Sequence, residues 1–215
     1  MVAKIETVQT QAFQLWMTPT LPDLGWKAGS PVLTAYAHPD ETWSDMSQLI
    51  PREQWPVGQE PGSIAYFCGP LPDANPIPPY TDHTFPARQA ALVAQTSIAW
   101  ITSNLPTVWP NSVQGGSFNW NIVDDLTGQT GSARFNSQYW RANLSPAERY
   151  VLSVPGSTQY RLPAASSGFS NLYLSGDWTL NGLNFGCIES ATMGGLETSQ
   201  AICGYPQEIV GTSDI

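Results

Sequence analysis

With 41% hydrophobic and only 12% charged residues, a chain of 215 residues holds apolar material for one substantial core, or for one domain and a piece of a second, and is not the composition of a disordered polymer. Eight Lys+Arg against seventeen Asp+Glu, a net charge of −9, leave no basic stripe to meet a phosphate backbone and argue against nucleic-acid binding. The most apolar stretch, Ala90 to Leu105, is interrupted by Gln95, Thr96, Ser97, Thr102, Ser103 and Asn104, so no segment is expected to cross the ~30 Å of a bilayer's hydrocarbon layer. Cys68, Cys187 and Cys203 lack metal-ligand spacing and His38 and His83 stand alone, so neither a metal site nor a disulfide framework is expected. Met1 to Thr7 lack the charged start and apolar run of a secretory signal, and the expected location is cytoplasmic.

In chain order, Lys4 to Trp16 reads as a β-strand with imperfect alternation through Ile5, Val8, Ala12, Phe13, Leu15 and Trp16. The chain opens inside this element, read as a sign that part of the architecture lies on another polypeptide. Ser63 to Cys68 reads as a buried strand, and Pro70, Pro72, Pro76, Pro78 and Pro79 make Gly69 to Tyr80 a long loop. From Pro86 to about Asn104, Ala90, Ala94, Ile98 and Ile101 recur at helical spacing, with Pro106 expected beyond the end. Short strands are expected at Ser117–Val123, Ala133–Trp140 and Tyr150–Val154, completing a mixed α+β region.

After Leu162 the organisation changes. Asn171-Leu-Tyr-Leu-Ser175 is a short apolar run suited to a strand buried on both faces, and Gly176-Asp177 would end it. The turn Asn181-Gly-Leu-Asn184 leads into a helix from Phe185 to Cys203, with Ile188, Ala191, Leu196 and Ile202 facing inward and Gly204 and Pro206 stopping it. A carboxylate after a buried strand can accept hydrogen bonds from ligand hydroxyls, and a helix start offers free N–H groups and the positive end of its dipole.

The run Asn171-Leu-Tyr-Leu-Ser-Gly-Asp-Trp-Thr179, followed by Gly182-Leu-Asn-Phe-Gly-Cys-Ile-Glu-Ser-Ala-Thr-Met-Gly-Gly195, resembles the C-terminal FAD-binding motif of the flavin amine oxidase and phytoene desaturase superfamily. Less specifically, Ser145 to Gly156 and Val8 to Trp16 resemble substrate-domain strands of bacterial members. The resemblance implies an α+β / α/β architecture. Residues 1–165 would be a mixed-sheet substrate-side domain, residues 166–205 the C-terminal strand and helix of a two-part, Rossmann-type FAD-binding domain, and residues 206–215 a tail. It implies that Asp177 holds the flavin ribityl chain with Gly176 and Trp178 beside it, and that Gly186, Cys187 and Ile188 meet the flavin through their backbone, where the helix start favours negative charge on the reduced ring. No cysteine matches the position of covalent attachment, so FAD would be bound non-covalently.

No Gly-x-Gly occurs in the chain, so the phosphate-cradling turn of a dinucleotide-binding unit is missing. The expected partner is a second polypeptide carrying that unit. Gly186, Ser190, Gly194 and Thr198 recur every four residues, and this smooth helix face is the expected docking groove for it. Cys187 stands where animal amine oxidases place an aromatic that frames the amine, and a lysine near flavin N5 has no good counterpart in Lys4 or Lys27. The substrate is therefore a small molecule of open identity, and no catalytic residue is assigned. The expected activity is oxidation of a C–N or C–C bond by hydride transfer to flavin. The alternatives are a non-catalytic scaffold or assembly subunit that keeps the flavoprotein fold, and a truncated fragment.

Overall fold

A computed structural model describes residues 1–212 of the chain. Its backbone divides into two compact units, Gln9–Pro146 and Met1–Val8 with the chain from Ala147 onward.

The first unit is built on β1 (Thr7–Met17), β2 (Val32–Leu33), β3 (Thr42–Asp45), β4 (Ser63–Leu71) and β7 (Tyr139–Asn143), in the order β2-β3-β4-β1-β7. A separate two-stranded hairpin joins β5 (Val113–Gln114) and β6 (Ser117–Phe118). All strand pairs among the described residues are antiparallel, so the fold is α+β with an antiparallel sheet rather than the mixed sheet expected. Alternation along β1 buries Phe13, Leu15 and Met17 completely on one face. Across the ladder Phe13 faces Phe67 and Phe67 faces Trp43, and the three rings stack at 4.9 and 5.9 Å between centroids. The opposite face carries the half-buried Thr10, Gln14, Trp16, Tyr66 and Cys68.

Helix α1 (Phe85–Val108) covers the apolar face through Val93, Ser97, Trp100, Ile101 and Leu105. That stripe is rotated from the expected one: Ala94 and Ile98 flank the core half-buried, because the large Trp100 takes the central position against Phe13 and Phe67. The helix also continues through Pro106 instead of stopping before it. Proline removes one N–H from the ladder, while Leu105 and Trp109, both fully buried, hold the last turn in the core and Trp109 N–H still reaches the Leu105 carbonyl at 2.8 Å. The three short strands expected differ in extent too, Tyr150–Val154 being strand only over Tyr150–Val151. Only Ser117–Phe118 of Ser117–Val123 is strand before a 3₁₀ turn at Trp120–Ile122, and Gly131–Ser137 is a 3₁₀ turn that buries Phe135 before β7 begins.

In the second unit, β8 (Tyr150–Val151) pairs with Thr7 and Val8, and α2 (Ile188–Cys203) follows a long irregular segment. Asn171–Ser175 is not a strand. Asn171, Leu172, Tyr173 and Ser175 are exposed, and the backbone bond found in this run is Leu174 N–H to the Ala164 carbonyl at 2.9 Å. A strand buried on both faces needs hydrogen-bonding neighbours on its edges, and none is present among the described residues. Helix α2 likewise starts at Ile188 and not at Phe185, and ends as expected on Gly204 in the left-handed conformation. Its orientation reverses the expected one. Ser190, Met193 and Gly194 are buried, whereas Ile188 is 81% and Ile202 62% exposed.

Candidate functional site

The loop from Gly176 to Cys187 and the start of α2 contain every residue expected to contact a cofactor. Gly176 has φ +120°, and a Cβ there would come within 2.7 Å of the Trp178 ring, so this turn requires glycine. The Trp178 indole N–H donates to the Ser175 carbonyl at 2.7 Å and folds the ring back over the turn. Asp177 is half-buried. Its carbonyl accepts from Arg161 Nη1 at 2.7 Å, and its carboxylate has no hydrogen bond among the described residues.

Arg161 organises this turn from beneath. Only 3% exposed, it donates through Nη1 to the carbonyls of Asp177 and Thr179 and through Nη2 to Ser153 Oγ at 3.0 Å, while its Nε has no partner. Burial pulls the guanidinium below its ordinary pKa, and the nearby Asp177 charge opposes that. Asn181 is the second bolt. Its Oδ1 accepts from the backbone N–H groups of Leu183 and Asn184, and its Nδ2 donates to the Ser190 carbonyl and hydroxyl, fastening the turn to α2.

At the helix start, Cys187 is the N-cap. Its Sγ accepts from Ser190 N–H at 3.2 Å and its carbonyl from Ala191 N–H at 3.0 Å, which leaves the N–H groups of Ile188 and Glu189 without a partner among the described residues. Gly186 is buried under Tyr150, whose hydroxyl donates to the Gly186 carbonyl. The expected residues thus form two groups. Gly176 lies against Gly194, six residues along α2 from Ile188, or about 9 Å at 1.5 Å per residue.

The smooth helix face is not an open groove. A Cβ on Gly194 would lie 2.8 Å from the Gly176 carbonyl oxygen, Ser190 is tied to Asn181, and the Thr198 hydroxyl donates to the Leu174 carbonyl at 2.6 Å. Gly186 precedes the helix altogether. The small residues of α2 therefore admit this chain's own loop, which corrects the expectation that a second chain docks there. Arg161, Asn181, Ser153 and Tyr150 carried no sequence signal for these roles; Asn181 reads simply as a turn residue before glycine.

No group of His, Cys, Asp and Glu that could hold a metal is present among the described residues, and no helix is long and apolar enough to cross a membrane. Comparison with family models, with curated proteins and with solved structures finds no match to the chain in any of the three.

Proposed function

We propose that the chain is the substrate-side part of an FAD-dependent oxidoreductase of the amine oxidase and desaturase type, completed by a second polypeptide that carries the dinucleotide-binding turn. The motif from Asn171 to Gly195 is the ground for naming the cofactor. The observation that supports a missing partner is apolar surface without cover in the same unit. Phe169, Ile188, Ile202, Tyr205 and Val210 are each more than 60% exposed, whereas its buried apolar side chains among the described residues are Val151, Ala164 and Met193. A surface of that kind is stable when another chain removes it from water.

The residues present fit an extended ligand. Two backbone donors, on Ile188 and Glu189, stand at the positive end of the α2 dipole, and the turn that carries Asp177 rests on the helix through Gly176 against Gly194. A separation of about 9 Å along the helix suits a ligand whose ring and hydroxyl-bearing chain are several bonds apart. When bound non-covalently, FAD would accept a hydride from a C–H carbon of a small substrate, whose C–N or C–C bond becomes a double bond as a proton leaves the neighbouring atom. Asp177 would accept hydrogen bonds from the ribityl hydroxyls, the α2 start would favour electron density on the ring, and Arg161 would keep the Gly176–Thr179 turn in place.

The test is native purification after co-expression with a candidate chain containing G-x-G-x-x-G, followed by the visible absorption spectrum and acid release of flavin. A complex carrying FAD, with the isolated chain flavin-free, is the expected result. Stoichiometric FAD on the isolated chain would remove the partner from the proposal, and a stable complex devoid of flavin would favour the scaffold reading.

A further inference from the structure

A cluster within Gln9–Pro146 plays no part in the flavin reading. Trp16 on β1 and Trp55 lie 6.3 Å apart between ring centroids with their planes at 58°. Both donate their indole N–H to the same carboxylate oxygen of Glu53, at 2.9 and 2.7 Å. One acid thereby occupies the polar edge of each ring and fixes both orientations, which leaves π surface and C–H edges for other contacts. The two rings, with Asp124, Leu126 and Gln138, line a cavity of about 150 Å³.

Gln138 is a wall of this cavity and has little left to offer a ligand. Its Oε1 accepts from the Trp16 backbone N–H at 2.9 Å and its Nε2 donates to the Asp124 carbonyl at 2.7 Å. Asp124 differs. Burial pushes its carboxyl above the ordinary value, against the effects of the Asp125 N–H and of Arg134. Arg134 spends its N–H groups on the carbonyls of Asn121, Val123 and Gln129 and so forms no ion pair with Asp124, while the adjacent Asp125 adds like charge. The cavity thus joins aromatic surface to an acid short of a cation.

We propose that this cavity is a binding site for a small organic ammonium ion, such as a quaternary ammonium headgroup, held against Trp16 and Trp55 with Asp124 as its counter-charge. A cation is attracted to aromatic faces and compensates the partly desolvated carboxylate. A neutral apolar ligand would desolvate Asp124 further with no return. An anion would meet Glu53, Asp124 and Asp125 on a chain of net charge −9. Size agrees: at ~30 Å³ for a water-sized group, the space holds about five such groups, the bulk of one nitrogen and four methyls. This site does not depend on the flavin reading.

The experiment is titration of the full chain with choline chloride at constant ionic strength, following indole N–H signals by NMR, with Trp16 and Trp55 identified through single substitutions. The neutral isostere of choline, with carbon in place of nitrogen, and methyl glucoside are titrated in parallel. The expected result is a saturable shift of those two signals with choline only, weakened about tenfold by Asp124→Asn and lost in Trp55→Ala. Absence of a saturable shift, equal binding of the neutral isostere, or binding of the glucoside alone would overturn the proposal. Should Trp55→Ala fail to fold, the comparison of Asp124→Asn with the native chain decides, since that change keeps the side chain's shape and removes only its charge.

Discussion

Asp40 is fully buried, and neither carboxylate oxygen has a hydrogen-bond partner among the described residues. Burial pushes its pKa up to about 7 from an ordinary 3.8, with the neighbouring His38 acting in the opposite direction. The folded protein therefore holds this proton more tightly than the unfolded chain does. Below pH 4 both states are protonated and the contribution to stability is complete. As pH rises toward 7 the unfolded chain ionises first and stability falls, until above about 7 the loss is full. Moving a carboxyl from 3.8 to about 7, at ~1.36 kcal/mol per pH unit, makes that loss about 4 kcal/mol. At roughly 3 °C per kcal/mol for a domain of this size, the melting temperature should fall by on the order of 10 °C across the range. Asp125, whose pKa hydrogen bonds from Thr127 lower to about 2, has its own stabilising effect lost only as pH falls through that value, so the window from pH 4.5 to 8 lies clear of it. Asp40→Asn preserves shape and cannot ionise. Thermal melts of both proteins by near-ultraviolet circular dichroism should show a steep decline for the native chain and a much flatter profile for the variant. Its unpaired amide lowers stability equally at every pH, so the slope is the readout. Parallel profiles for the two proteins would refute the reasoning.

In the assembled flavoprotein, Asp177→Ala should weaken FAD more than tenfold, because a hydrogen bond to a charged acceptor is worth roughly 1.5 to 3 kcal/mol; flavin titration checks this, and an unchanged affinity would take Asp177 out of the site. Gly194→Leu should destabilise the isolated chain by about 1 to 3 kcal/mol by driving the Gly176–Thr179 turn off α2; an unchanged melting temperature would show that the turn does not rest on the helix as described. Arg161→Met should leave the Asp177 and Thr179 carbonyls without their donor at a cost of about 2 kcal/mol, read as faster hydrogen exchange at residues 176–181 than elsewhere in the unit. Uniform exchange across the unit would mean that Arg161 acts on stability in general and does not position this turn.

Local patterning was enough to reveal the elements that satisfy their own backbone or show a simple period. The strands over Thr7–Trp16 and Ser63–Cys68, the helix from Phe85 and the Gly204 stop of α2 all follow from alternation, helical spacing or a residue that tolerates φ > 0, whereas β4 runs on through Pro70 to Leu71, where a loop was expected, because Gly69–Leu71 pairs with Gln9–Gln11 of β1. The six candidate contact residues could also be named from the motif alone, though not their separation into two groups. Only the tertiary structure decided which face of each element meets the core. The α1 stripe turns to put Trp100 among the Phe13 and Phe67 rings, and Pro106 stays helical because Leu105 and Trp109 are anchored beside it. Asn171–Ser175 has the composition of a buried strand but no edge to pair with, so it lies exposed. The support of the candidate site was illegible for the same reason. Arg161 gives no signal in sequence and Asn181 reads as a turn former, yet each is buried because carbonyls and hydroxyls from other parts of the chain close over it. Periodicity records how a segment orders itself, whereas the satisfaction of a buried polar group depends on which other segments come to surround it.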